Sequence, residues 1–294
     1  MACLRRIPVR HGPVLHHRRR SDRRLPAPAG AAVTAPRTAA TGGTGIDLDH
    51  TSFAVHDAMR WARFLRRKLG ATPISGETLP EFRYLLLYVG APEQGARLEL
   101  MEPQGDGFLT RNLAKRGEGP HHVTFTVPDL RAAVARVRAL GSTVVGESYE
   151  HPPWHEAFIV PDDKHAVVIQ LAQSDRRYPG PEDLLTTCAR DPESLPSVSG
   201  ATEPLWWTSL WGTPVETTAR LGATHLASTD LAFSRRLFEG VLGGELRAED
   251  EHFDFSWPGG SVRVHAAERP GILGMALHGS GFTSVRIGSA SLRA

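Results

Sequence analysis

Two segments of this 294-residue chain are near copies of each other, Asp49–Asp57 (DHTSFAVHD) and His121–Asp129 (HHVTFTVPD). A shift of 72 residues puts His50 on His122, Phe53 on Phe125, Val55 on Val127 and Asp57 on Asp129. Each copy alternates apolar and polar residues with a period of two, the pattern of a half-buried strand. Thr51, Phe53 and Val55 share one face, and His50, Ser52 and Ala54 share the other. In the second copy Val123, Phe125 and Val127 oppose His122, Thr124 and Thr126. Two strands that each turn an imidazole and small residues away from their apolar side predict a lined concavity.

The residues after each copy repeat as well. Asp57 is placed to cap a helix whose apolar positions Ala58, Trp61, Ala62, Leu65 and Leu69 keep the helical period, with Gly70 as its stop. Strands are predicted over 83–89 and 96–101; in the second of these Leu98 and Leu100 face the helix and Glu99 shares the face of His50. Asp129 starts a second helix, through Leu130, Ala133, Val134, Val137 and Leu140 to Gly141. Strands near 143–145, 156–160 and 166–171 come next, the last carrying Gln170 where the first unit has Glu99. His50 and Glu99 are 49 residues apart, and His122 and Gln170 are 48. The matched spacing implies one βαβββ unit used twice with pseudo-twofold symmetry, within a domain over 46–174.

A third copy begins at Thr224–Asp230, after a Pro-, Ser- and Thr-rich linker over 175–218 that contains three tryptophans within 205–211. Such an aromatic cluster is expected to plug a seam between domains. The interval from Asp230 to Gly243 equals that from Asp57 to Gly70, 13 residues each. Counted back from the Asp, His225 falls where Ser52 sits; His265 is expected in place of Glu99 and Gly274 in place of His122. Residues 219–294 are therefore expected to form a degenerate second domain, its ligand set broken and its last module mostly absent. It is expected to be structural, or a cover over the first domain's cleft, and a truncated product is one reading of its end.

Charge and cysteine usage narrow the function classes. Residues 1–45 carry nine Arg and one Asp, which leaves 25 basic and 31 acidic residues in the rest, a balance of −6. A mildly acidic body argues against a nucleic-acid partner. The Arg-, Ala- and Pro-rich tail over 1–45 has no helical or strand period and is expected to be disordered. Cys3 and Cys188 make neither a disulfide framework nor a thiolate metal site. No apolar run approaches the roughly 20 residues of a membrane span, so no membrane partner and a cytoplasmic location are expected.

The motifs Leu48-Asp-His50, 78–81 (TLPE), 98–103 (LELMEP), 117–123 (GEGPHHV) and 168–171 (VIQL) resemble the vicinal-oxygen-chelate superfamily of glyoxalases, bleomycin-resistance proteins and dioxygenases. Over 46–174 they are most similar to methylmalonyl-CoA epimerases. The resemblance implies an α+β fold of paired βαβββ modules forming a curled mixed sheet with helices on the outside, here followed by a partial second copy. It also implies a divalent metal held by His50, Glu99, His122 and Gln170, with His121 one residue off register. Two imidazoles, a carboxylate and an amide oxygen suit Zn, Co, Ni, Mn or Fe(II). Such an ion polarises a carbonyl, so that a carboxylate removes an α-proton near neutral pH.

One position departs from the resemblance. The epimerases carry Glu where this chain has Gln170, and that Glu is one of their two bases; the other matches Glu81. An amide abstracts no proton, so Glu99 on the opposite module is the candidate to act with Glu81 in a mirrored arrangement. Glu81 also reads as an exposed turn acid after Pro80. His151, Trp154 and His155 are placed to flank the opening. The expected function is a metal-dependent isomerase or lyase acting on a small-molecule substrate. An extradiol-type dioxygenase and a metal-free binding or resistance protein are the alternatives, and a homodimer is an expected assembly.

Overall fold

The computed structural model describes residues 45–91, 94–150, 154–174, 206–248, 252–279 and 284–293, with Asp183 and Thr186. The tail, Cys3, Cys188, His151 and most of the linker lie outside the described residues. The first unit runs β1 (Asp47–Ala54), α1 (Ala58–Leu69), β2 (Thr72–Thr78), β3 (Phe82–Val89) and β4 (Ala96–Pro103). Helix α2 (Phe108–Arg116) leads to β5 (Gly119–Thr126), α3 (Leu130–Ala139), β6 (Val144–Ser148), β7 (Trp154–Ile159) and β8 (Val168–Ser174). The eight strands make one mixed sheet in the order β2-β3-β4-β1-β5-β8-β7-β6. Within each unit the first and last strands pair in parallel (β1 with β4, β5 with β8), and the antiparallel β1–β5 pair joins the halves.

Local chemistry explains the repeat. Asp57 and Asp129 sit in extended backbone and accept from the amides of Arg60 and Ala132, each satisfying an otherwise orphan helix donor. Gly70 ends α1 in the left-handed conformation (φ 71°), where a side chain would be strained. Phe53, Val55, Leu98 and Leu100 are fully buried against Ala58, Ala62, Leu65 and Leu69 of α1. Val123, Phe125, Ile169 and Leu171 do the same against Leu130, Ala133, Val134 and Val137 of α3. Burial of Val, Leu, Ile or Phe is worth about 1.5–3 kcal/mol per side chain, so these two faces carry much of the driving force.

Several boundaries differ from expectation. Strand β8 starts at Val168, because Ala166 turns into left-handed backbone (φ 34°) and donates its N–H to Asp162 O. The sequence pattern does not separate β2, whose alternation is interrupted by Pro73 and Gly76. Helix α2 lies on the face away from α1. Its Leu109 and Leu113 pack on Ala54, Tyr84 and Met101, so it roofs one end of the concave side.

The second sheet comprises β9 (Arg220–Ser228), α4 (Leu231–Arg235, continuing as π-helical turns Arg236–Val241), β10 (Glu245–Ala248), β11 (His252–Trp257) and β12 (Gly260–Ala266). It ends with β13 (Gly271–His278), β14 (Ser284–Ile287) and β15 (Ala290–Arg293). The order β10-β11-β12-β9-β13-β15-β14 repeats that of the first sheet up to its last strand. Asp230 caps α4 as Asp57 and Asp129 cap theirs, accepting from Phe233 N. The fourth unit thus keeps three strands, more than the sequence led us to expect.

The two sheets meet through their apolar backs. Phe125 contacts Trp257 edge to face at 4.9 Å, and Phe238, Phe255, Val262 and Val264 join the same core. Met275, Leu277, Ile287 and Leu292 join the core beneath α1. At the centre Thr51 Oγ1 and Thr224 Oγ1 are 2.7 Å apart, a buried hydroxyl pair across the seam. The concave face of the first sheet points the other way, so the second sheet backs the first domain and does not cover its cleft. Trp207 and Leu210 are fully buried in the same core, while Trp206 and Trp211 pack at its edge.

Candidate metal centre

Four adjacent strands present the polar side chains of the concave face. Register sets Ser52 beside both Glu99 and His122, His50 beside Thr124, and Thr124 beside Gln170. His50, Glu99, His122 and Gln170 are all buried, with 4–9% of their surface exposed. Burying four such groups is costly unless each finds a partner, and each does. Ser52 Oγ donates to Glu99 Oε2 at 2.5 Å and lies 3.0 Å from His122 Nε2. Thr124 Oγ1 donates to Gln170 Oε1 at 2.8 Å and lies 3.0 Å from His50 Nε2.

Proton accounting fixes the charge states. Each hydroxyl has one proton, already given to Glu99 or to Gln170, so the facing imidazole nitrogens must be donors. His50 then carries hydrogens on both nitrogens, because its Nδ1 also meets Asp49 Oδ1 at 2.6 Å. Burial alone opposes that charge, but the carboxylates of Glu99 and Asp49 override it and raise the His50 pKa to about 9. Burial likewise pushes Glu99 up, and His50 draws it down to about 2. His122 is the reverse case, held neutral by burial and by His121, with its pKa lowered to about 3. His121 turns toward Phe108 of α2 and meets His122 Nδ1 through its own Nδ1 at 2.8 Å.

These donors fit one divalent ion. Glu99 Oε2 lies 3.5 Å from His50 Nε2 and 4.0 Å from His122 Nε2, and His122 Nε2 lies 3.2 Å from Gln170 Oε1. Ligands about 2.1 Å from an octahedral ion stand roughly 3.0 Å apart when cis and about 4.2 Å when trans. His50, Glu99 and His122 form the only such group of three or more His, Cys, Asp or Glu among the described residues. The supporting contacts suit ligation as well. Asp49, paired with Arg97 at 3.2 Å, holds His50 Nδ1–H, and His121 is placed to accept from His122 Nδ1–H once Nε2 is free.

Sequence reasoning missed three parts of the surroundings. Gln170 Nε2 donates to Glu156 Oε2 at 2.7 Å, which fixes the amide with its oxygen toward the centre. Ser52 and Thr124 wire the four side chains together, although their alternation with His50 and His122 was visible. Glu77 of β2 is a buried carboxylate whose Oε2 accepts from Tyr84 at 3.5 Å. Glu81 is exposed on the β2–β3 turn, beside Gly107 at the start of α2. Trp154 and His155 open β7, and Arg83 is engaged by Glu102 at 2.7 Å.

Paired βαβββ units thus bring a buried His-Glu-His-Gln set to one point of the concave face. Residues 49–159 match the Glyoxalase/Bleomycin resistance protein/Dioxygenase superfamily, and this match supports a member of that superfamily over the domain. The domain is 28% identical over 134 residues to the ethylmalonyl-CoA/methylmalonyl-CoA epimerase of Cereibacter sphaeroides, covering 43% of this chain and 96% of that protein. It is 29% identical over 137 residues to the mitochondrial methylmalonyl-CoA epimerase of Homo sapiens, covering 43% of this chain and 73% of that protein. A solved hypothetical protein from Staphylococcus aureus follows 84% of this chain and 98% of its own, at 12% identity and a TM-score of 0.54, which speaks to the fold alone. No helix among the described residues is long and apolar enough to cross a membrane.

Proposed function

We propose that residues 46–174 form a divalent-metal-dependent isomerase of the epimerase type, moving a proton α to a carbonyl, with branched malonyl-CoA thioesters as the first substrate class. The observation that carries this reading is the convergence of His50, Glu99, His122 and Gln170 on one buried point. A metal bound there supplies Lewis-acid stabilisation of an enolate. His50 releases its Nε2 proton on ligation and keeps its Nδ1–H on Asp49, while Glu156 keeps the Gln170 oxygen turned inward. Gln170 itself moves no proton. The proton therefore passes through carboxylates, with Glu99 and Glu81 in those roles and α2 closing one end of the cleft to water. The similarity to both epimerases supports the substrate class. Residues 219–294 are, in this reading, an eroded copy that backs the active domain, and a cytoplasmic location goes with it.

The test is α-proton exchange. Protein loaded with Co(II), Mn(II) or Zn(II) is incubated with methylmalonyl-CoA in D2O, and loss of the α-proton signal is followed by NMR. Exchange is expected with wild type and is lost in His122→Ala that keeps its circular dichroism. Absence of exchange with every metal overturns the reading. Activation by Fe(II) and O2 on a catechol instead moves the chain to the dioxygenase class, and failure to bind metal moves it to the binders.

A further inference from the structure

The concave face of the second sheet has lost every residue of the first site. Ser52 pairs with Glu99 and His122; the matching partners of His225 are Arg263 and Gly274. Arg263, not His265, therefore stands at the Glu99 position, which corrects the expectation from spacing by two residues. By the same register Ala223 stands for His50 and Arg293 for Gln170. Yet the face is not bland. His225 on β9, His265 on β12 and His252 on β11 gather on it, away from Leu226, Val262 and Val264, which enter the core.

Two of the three imidazoles stand as a pair of ligands would. His225 Nδ1 and His265 Nε2 face each other at 3.0 Å, with rings stacked at 5.1 Å. Two ligands about 2.0–2.1 Å from one ion, at 90–109°, stand about 2.9–3.4 Å apart. His252 is directly cross-strand from His265, with ring centroids 5.6 Å apart. Burial, the neighbouring His265 and Arg263 lower the His225 pKa to about 4, so its lone pair is free at neutral pH. The nearby carboxylate of Asp254 is gripped by Arg263 through two contacts of 2.6 Å and also faces His252 Nε2 at 3.6 Å.

We propose that His225 and His265 form a second, two-imidazole metal site that takes a nickel-, copper- or zinc-like divalent ion. All-nitrogen donors favour these ions over Mg and Mn, which want oxygen ligands. An ion there ties β9 and β12 together in the sheet that lacks a fourth-unit helix and a last edge strand among the described residues.

The full chain is tested by counting bound Ni(II) and Zn(II) after equilibrium dialysis, in wild type, His122→Ala, His225→Gln and the His122→Ala/His225→Gln pair. Two equivalents are expected in wild type, one in each single variant and none in the pair. The melting temperature of His122→Ala is expected to rise with Ni(II) and not with Mg(II). A second equivalent that survives in both His225→Gln and His265→Gln overturns the proposal, as does a His122→Ala chain that binds nothing. Should His225→Gln fail to fold, His265→Gln carries the count. Failure of the first site leaves one equivalent that responds to His225 alone, so the two readings fail separately.

Discussion

The two sheets share a strand order but not a chemistry. At five register-matched positions the first carries His50, Ser52, Glu99, His122 and Gln170; the second carries Ala223, His225, Arg263, Gly274 and Arg293. The helix caps Asp57, Asp129 and Asp230 are kept, as are the inward apolar residues. Scaffold and site are therefore separable: caps and core set the fold, and the concave face is free to change. The sheets also differ in how they are sealed. The first is closed by Trp207, fully buried against Gly76 of β2, where an added Cβ would come within 2.5 Å of the indole nitrogen. In the second, Trp257 of its own β11 takes that place over Gly244, where an added Cβ would come within 2.4 Å of its ring, whereas Trp207 comes from outside both sheets. Trp207→Ala should cost about 3–5 kcal/mol by chemical denaturation, the range for a deleted core aromatic. A loss below about 1 kcal/mol would show that the seal is not needed.

The metal faces differ in what they allow to be restored. Gly274 cannot become His, because its backbone has φ 144° and an added Cβ would lie 1.8 Å from Ser291 O. Gly274→Ala should therefore destabilise the chain by about 1–3 kcal/mol or more through over-packing and strain. The reverse change at the matched position, His122→Gly, should fold and lose only its metal. Equal melting temperatures for wild type and Gly274→Ala would contradict the register on which the comparison stands.

Most of this scaffold was legible in the sequence because it rests on periodic burial and capping, which are local. The His50–Glu99 and His122–Gln170 spacings found the first site, since strand alternation puts matched residues on one face. What escaped needed partners far away in sequence. The Glu156 contact to Gln170 depends on β7–β8 register, and the second histidine cluster on β9–β12 register, where counting alone placed His265 two residues wrong. The direction of packing between sheets was also unreadable. Both backs are simply apolar, and only the structure shows them meeting at Thr51 and Thr224.

Charge separates the faces further. In metal-free protein His50 is held protonated, with its pKa raised to about 9, whereas His225 is held neutral, with its pKa lowered to about 4. The sign comes from linkage. A raised pKa contributes stability that is present below about 6.5 and lost as pH rises through 9. A lowered histidine pKa contributes above about 6.5 and is lost as pH falls toward 4. Metal-free stability should thus peak near pH 6.5, with an alkaline slope of at most about 1.4 kcal/mol per pH unit from His50. His50→Gln should flatten the alkaline arm and His225→Gln soften the acid arm. A single monotonic curve in melts from pH 4 to 9 would break this assignment. Ion uptake at pH 7.5 should release about one proton from the first site and none from the second, read by calorimetry in buffers of different ionisation enthalpy.

The smallest contrast lies in the caps. Asp57 and Asp230 make the same bond, 2.8 Å to the amide three residues on. Replacing an Asp cap by Ala typically costs about 1 kcal/mol. Their helices differ: α1 runs 12 residues, whereas α4 runs five before slipping into π-helical turns. The carbonyl of Asp230 also accepts from Ser234 N, and the Ser228 and Ser234 hydroxyls lie 3.0–3.1 Å from it, sharing their protons with each other and Lys164 O, so that end is tied by serines the first helix lacks. Asp230→Ala should therefore cost less than Asp57→Ala, the gap being a few tenths of a kcal/mol on this scale. If Asp230→Ala costs more, the short helix depends on its cap alone, and the serine bonds are passengers.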